Sequence, residues 1–160
     1  MRLLILAVGH KMPAWVGMAF EDYARRMPRD MPLRLIEIRP TPRSAGSTSP
    51  GQIDRILKLE GDRLRAAIPA SAITVALDQR GRSIGTEAFA HLIEGWRNRG
   101  GDVAFLIGGA DGLDTQLKRS AHLMLSLSAM TLPHQLVRVI LVEQLYRAVS
   151  LLHGHPYHRC

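Results

Sequence analysis

Apolar positions change their period repeatedly along this chain. The run RLLILAV (2–8) is short and continuous, the pattern of a buried strand, and PAWVGMAFEDYARRMP (13–28) follows with helical spacing. PLRLIEIR (32–39) alternates as a strand does, and PTPRSAGSTSPG (40–51) is loop-forming throughout. A loop of about a dozen residues inside a compact domain is often functional or mobile. QIDRILKLEGDRLRAAI (52–68) returns to helical spacing with a strongly basic face. The second half repeats the rhythm: AITVALD (72–78) predicts a strand and TEAFAHLIEGWRNRG (86–100) a helix stopped by glycine. DVAFLIGG (102–109) predicts a strand, LDTQLKRSAH (113–122) a short helix and LMLSLS (123–128) a further strand. PHQLVRVILVEQLYRAVSLLH (133–153) predicts a long helix with proline at its start, where the missing N–H costs nothing. Strands alternating with helices argue for an α/β layered domain with a largely parallel sheet, one domain over residues 1–160.

The last helix is unusually apolar. Of the 17 residues from Leu136 to Leu152, 12 are apolar, with Arg138, Glu143, Gln144, Arg147 and Ser150 interrupting them. Such a helix must be covered on more than one side. A second subunit would do this, and so would a thick core within one chain.

Charge and cysteine usage narrow the class. The net charge is +7, concentrated in residues 1–65, where 12 basic residues face 7 acidic ones. A basic chain favours a polyanionic partner, because each neutralised phosphate releases counterions, although a merely solvated basic surface has the same composition. No apolar stretch reaches the length of a membrane span, and the first residues read as a strand rather than a signal peptide. A single cysteine, Cys160, cannot form an internal disulfide. A cytoplasmic protein without membrane association is the expectation.

In open α/β sheets ligands bind beyond the carboxyl ends of the strands. Here those ends are Ala76–Asp78, Ile107–Gly109 followed by ADGLD, and Ser126–Ser128 followed by AMTLPH. Glycines at a strand end let a ligand approach the main chain, and a tight turn before a short helix calls for the same residues. The turn after the first strand, VGHKMP, lacks a dinucleotide fingerprint, and neither a P-loop nor a nucleophile elbow occurs. The chain closes on HGHPYHRC (153–160), holding three of its seven histidines. His153, His155 and His158, with Cys160, can be drawn around zinc, but histidines spaced by Gly and Pro are not preorganised. No metal is expected.

FLIGGADGL (105–113) and LSLSAMTLPHQLVRVILVEQLYRAVSLLHGHPYHR (125–159) resemble the RlmH family, and AVGHKMPAWV (7–16) and MPLRLIEI (31–38) extend the resemblance over nearly the whole chain. The poorest match is 40–50. These are SPOUT-superfamily methyltransferases that act on N3 of a pseudouridine in large-subunit ribosomal RNA. The resemblance implies an α/β fold with a C-terminal trefoil knot, a homodimer, and S-adenosylmethionine as cofactor. Carried over by position, the cofactor contacts would be Leu77, Gly108, Leu127, Ser128, Ala129, Met130, Thr131 and Leu132. Ser128 and Thr131 fit equally as polar anchors or as turn residues.

The methyl donor brings its own activation, so the enzyme chiefly aligns donor and acceptor. N3 carries a proton that must leave, and a positioned base or a nearby cation would help. On this reading the tail of one subunit completes the partner's site. Tyr157 would stack on the nucleotide, His155 or His158 would take the proton, and Arg159 would meet phosphate or a base carbonyl. His134, at the start of the last helix, is a second candidate. Arg25, Arg26, Arg29, Arg43, Arg55, Lys58, Arg63 and Arg65 are candidate phosphate contacts. With no recognisable RNA-binding module, so small a dimer would read a structured substrate by shape, which favours the assembled ribosome. The rivals are a non-catalytic, ribosome-associated RNA-binding protein of the same fold and a metal-dependent hydrolase using the terminal histidines.

Overall fold

The computed structural model describes residues 1–43, 49–155 and 157. Its elements run β1 (Leu3–Val8), α1 (Ala14–Arg26), β2 (Leu33–Ile38), α2 (Pro50–Ala67), β3 (Ile73–Ser83), α3 (Thr86–Arg99), β4 (Val103–Ile107), α4 (Thr115–Ser120), β5 (Leu123–Ser126) and α5 (His134–Leu152). The strands form one sheet in the order β2-β1-β4-β3-β5, and every pairing is parallel. The α/β architecture with a parallel sheet read from the sequence is therefore present.

β1 and β4 are buried along their whole length, which explains why both read as continuous apolar runs. Successive residues of β1 face opposite layers. Leu3, Ile5 and Ala7 pack with Phe20, Phe89, Ile93, Trp96, Leu141 and Leu145 from α1, α3 and α5. Leu4, Leu6 and Val8 pack with Leu64 of α2 and Leu117 of α4. The molecule is thus a three-layer sandwich. Within the chain, α5 is covered by the sheet, α1 and α3, yet Leu136 and the exposed Trp15 and Met18 of α1 leave apolar surface in solvent.

β3 departs from expectation. The apolar pattern stops at Asp78, but the strand continues to Ser83 through Gln79-Arg80-Gly81-Arg82. Its register against β5 shifts, so that both Leu77 and Arg82 stand opposite Leu125. A Cβ on Gly81 would lie 2.6 Å from the Leu125 main chain, so only glycine fits this irregular pairing. Polar residues do not announce a strand, and this bulged extension carries them to the rim of the sheet. α2 begins at Pro50, two residues earlier than its periodicity suggests, with proline again in the first turn.

Candidate functional site

The carboxyl ends of β4, β3 and β5, the segment after β5 and the start of α5 enclose a cavity of about 790 Å³. That volume lies in the range of small-molecule sites, about 300–1,000 Å³. Leu77, Leu125, Leu127, Met130, Leu132 and Val137 give it apolar walls, while Asp78, Arg80, Asp111, Lys118 and His134 add charged or titratable groups. Of the eight sequence-derived cofactor residues, Leu77, Gly108, Leu127, Ser128, Met130, Thr131 and Leu132 line this cavity, whereas Ala129 does not.

Local bonding gives each loop its shape. A Cβ on Gly108 would come within 2.3 Å of the Gly112 main chain, and Gly109 and Gly112 form an isolated bridge. Gly108 thus serves a tight turn at the strand end. The Ser128 hydroxyl accepts the Met130 N–H (2.9 Å) and the Ser126 hydroxyl donates to the Ser128 carbonyl (2.9 Å), which makes Ser128 a turn residue. Thr131 donates to Gln79 (3.1 Å), tying the loop after β5 to the polar extension of β3. Burial works against the Asp78 carboxylate, but the Arg80 N–H and the Lys118 ammonium at 3.0 Å hold its pKa below the ordinary carboxylate value. Asp111 is paired with Arg43.

Behind the cavity lies a buried charge. Arg138 of α5 has no solvent exposure. It donates to Glu37 (2.7 Å), the Gly9 carbonyl (2.9 Å) and the Val8 carbonyl (3.4 Å), clamping the ends of β1 and β2. Its Nε has no partner among the described residues. His134 stands one helical turn before it, half-buried on the cavity wall. Burial, and then the positive charge of Arg138, hold the His134 imidazole below its ordinary pKa.

The described part of the tail lies elsewhere. The Tyr157 ring meets Tyr146 edge-on at 4.8 Å, and its hydroxyl donates to Tyr23 (3.2 Å) and Glu143 (3.4 Å). The Arg26 and Arg147 guanidiniums sit over the same ring. Burial and the Tyr23 hydroxyl push the Tyr157 phenol up to about 12. The His155 ring accepts the Tyr157 N–H (3.3 Å). Within one chain, then, His155 and Tyr157 are not on the cavity wall, whereas His134 is; His158, Arg159 and Cys160 lie outside the described residues. Among the described residues no group of three metal-ligating side chains is found, and His153 is occupied by the Val149 carbonyl (2.9 Å). No helix among them is long and apolar enough to cross a membrane.

Sequence reasoning missed Gln79, Arg80, Lys118 and Arg138 as parts of this region. The polar run directly after a strand end was the available signal for Gln79 and Arg80. Arg138 showed only as an interruption of an apolar face, because its carboxylate partner is 101 positions away.

A family model described as "Predicted SPOUT methyltransferase" matches residues 1–158. Solved structures agree on the fold: a probable methyltransferase from Bordetella pertussis Tohama I superposes with TM-score 0.53 at 19% identity, over 92% of this chain and 95% of that one. A probable methylase family protein from Haemophilus influenzae Rd KW20 gives TM-score 0.53 at 13% identity, over 98% and 69%. The class is thereby defined as a SPOUT methyltransferase. Proteins named ribosomal RNA large subunit methyltransferase H from Nitrosospira multiformis and Bordetella avium are 51% and 52% identical, each covering 99% of both chains. This chain belongs to that family, the RlmH methyltransferases.

Proposed function

We propose that this chain transfers a methyl group from S-adenosylmethionine to N3 of a pseudouridine in large-subunit ribosomal RNA, on the assembled ribosome and as a cytoplasmic homodimer. The observation that carries the reading is the coincidence of one cavity with seven of the eight positions matched by resemblance. The wall chemistry fits the cofactor. Leu77, Leu127, Met130 and Leu132 offer apolar surface to a flat adenine ring, while Arg80 and the two aspartates offer partners for the carboxylate, ammonium and hydroxyl groups. When bound, the sulfonium supplies an electrophilic methyl whose carbon–sulfur bonding pair returns to sulfur. The chain's own task is to hold donor and acceptor in line, exclude water and receive the N3 proton.

Met130 is 77% exposed, and with Leu136 it continues the cavity rim toward the apolar start of α5. A second copy packed there would cover Leu136, Val139 and Ile140, none of which is fully buried within one chain. In such a dimer the tail reaches the partner's cavity. Tyr157, gripped by Tyr23 and Tyr146, is then the tail's anchor rather than a stacking platform, leaving Arg159 and His158 to meet the nucleotide. Threading of the segment after β5 as a trefoil knot is part of the same proposal.

Transfer of labelled methyl from S-adenosylmethionine to ribosomes lacking the modification, with and without EDTA, tests the reading. Label in large-subunit RNA despite EDTA is the expected result. Failure to bind S-adenosylmethionine would instead favour a non-catalytic RNA-binding protein.

A further inference from the structure

We propose that His134 is the residue that receives the proton leaving N3, with Arg138 and Glu37 as positioning residues that set its environment; this rests on the reading of the cavity as the site of N3 methylation. Among the described residues lining the cavity, His134 is the one imidazole. The other ionisable acceptors there are already engaged: Asp78 by Lys118 and the Arg80 N–H, Asp111 by Arg43. A carboxylate held by cations is a poor proton acceptor, whereas a neutral imidazole has an open nitrogen.

The surroundings of His134 are built with some care for its charge state. Residues four apart share a helix face, so Arg138 lies directly behind the ring. Gly9 closes the other side: a Cβ there would sit 3.1 Å from Arg138 Nη2 and 3.7 Å from His134 Nε2. Burial, and after it the fixed charge of Arg138, favours the neutral ring and holds the His134 pKa below its ordinary value. Glu37, whose side chain is 40% exposed, offsets part of that charge. Beyond these the cavity wall carries the Asp78–Lys118 pair, Asp111 and Arg80. In the step itself, the N3 electron pair forms the bond to the methyl carbon while the carbon–sulfur pair stays with sulfur. The N3 proton passes to a ring nitrogen of His134 and leaves to solvent after release.

The test combines an NMR titration of the His134 ring in cofactor-free protein with the pH profile of single-turnover transfer at saturating S-adenosylmethionine. Wild type should titrate below the ordinary imidazole value and show an acid limb at the same pH. Glu37→Gln should move both to lower pH together. His134→Ala should cut the rate on the order of 100-fold or more, remove the acid limb and regain activity with added imidazole. A His134→Ala rate within a few-fold of wild type with its acid limb intact overturns the proposal, as does a ring titration that moves in Glu37→Gln while the kinetic limb stays. Wild-type protein that transfers no methyl overturns the underlying functional reading instead, which separates the two failures.

Discussion

Arg138 shows how far a single side chain can depart from what its neighbours in sequence suggest. A fully buried guanidinium is costly unless it is paired and hydrogen-bonded, and here one carboxylate and two carbonyls meet that need while Nε goes without among the described residues. Arg138→Met removes the clamp on Val8 and Gly9 but leaves Glu37 able to reach water. The expected loss is therefore near the low end for a broken buried pair, about 3 kcal/mol, measurable by urea denaturation. His134 makes a pH-dependent contribution of predictable sign. Its folded pKa lies below the unfolded value of 6.5, so the unfolded chain takes up the proton first as pH falls. Stability from this group is present above 6.5 and is lost between there and the lower folded value. Thermal melts of His134→Asn should be flatter than wild type across that window. Gly108 was visible in the sequence as a glycine after a strand, with turn and ligand readings both open. The 2.3 Å approach of Gly112 shows the turn, while Gly108 also lines the cavity. Gly108→Ala should weaken cofactor binding at least tenfold by isothermal titration, because the displaced main chain forms the cavity wall.

At the scale of elements, apolar runs and amphipathic helices were legible because burial dictates both. The extension of β3 was not. Between Asp78 and Ser83 the pairing with β5 resumes only at Arg82 and Ser83, past a register shift, and nothing about the side chains of this stretch requires it. Gly81 was the one local clue, since glycine inside a strand accompanies a bulge or close backbone approach. Gly81→Val should detach the extension from β5, free Gln79 from Thr131 and loosen the cavity rim; faster amide exchange at Ser126–Thr131 would report it. The tail teaches a similar lesson. Its histidines and tyrosine drew attention as chemistry, yet Tyr157 is held by two tyrosines and two arginines of α1 and α5. No pattern within the tail could reveal this, because the side chains that hold the ring lie outside it, in α1 and α5. The phenol pushed up to about 12 favours the protonated ring in the folded chain, so this contribution is complete below pH 10 and fades as pH rises toward 12. Tyr157→Phe keeps the ring contacts and loses the hydroxyl bonds. It should preserve most methyl transfer, whereas Tyr157→Ala should lose it by releasing the tail.

For the whole molecule, the order β2-β1-β4-β3-β5 brings three strand ends together with the start of α5, and that convergence makes the cavity. Alternation of strands and helices announced a parallel sheet, but strand order depends on contacts between distant segments, which periodicity does not carry. The same holds for a second copy. Twelve apolar residues in α5 called for extra cover, and the sheet, α1 and α3 provide much of it within one chain. In the first half of the helix Leu136, Val139 and Ile140 still keep partial exposure. Ile140→Glu should give a monomer by light scattering and abolish transfer if the partner's tail completes each site. The most direct test of the central claim is the identity of the methylated atom. Ribosomes lacking the modification are incubated with the protein and S-adenosylmethionine, and the product nucleoside is assigned by mass spectrometry and NMR. The account predicts a single product, pseudouridine methylated at N3; methyl on another nucleoside or another ring atom would contradict it.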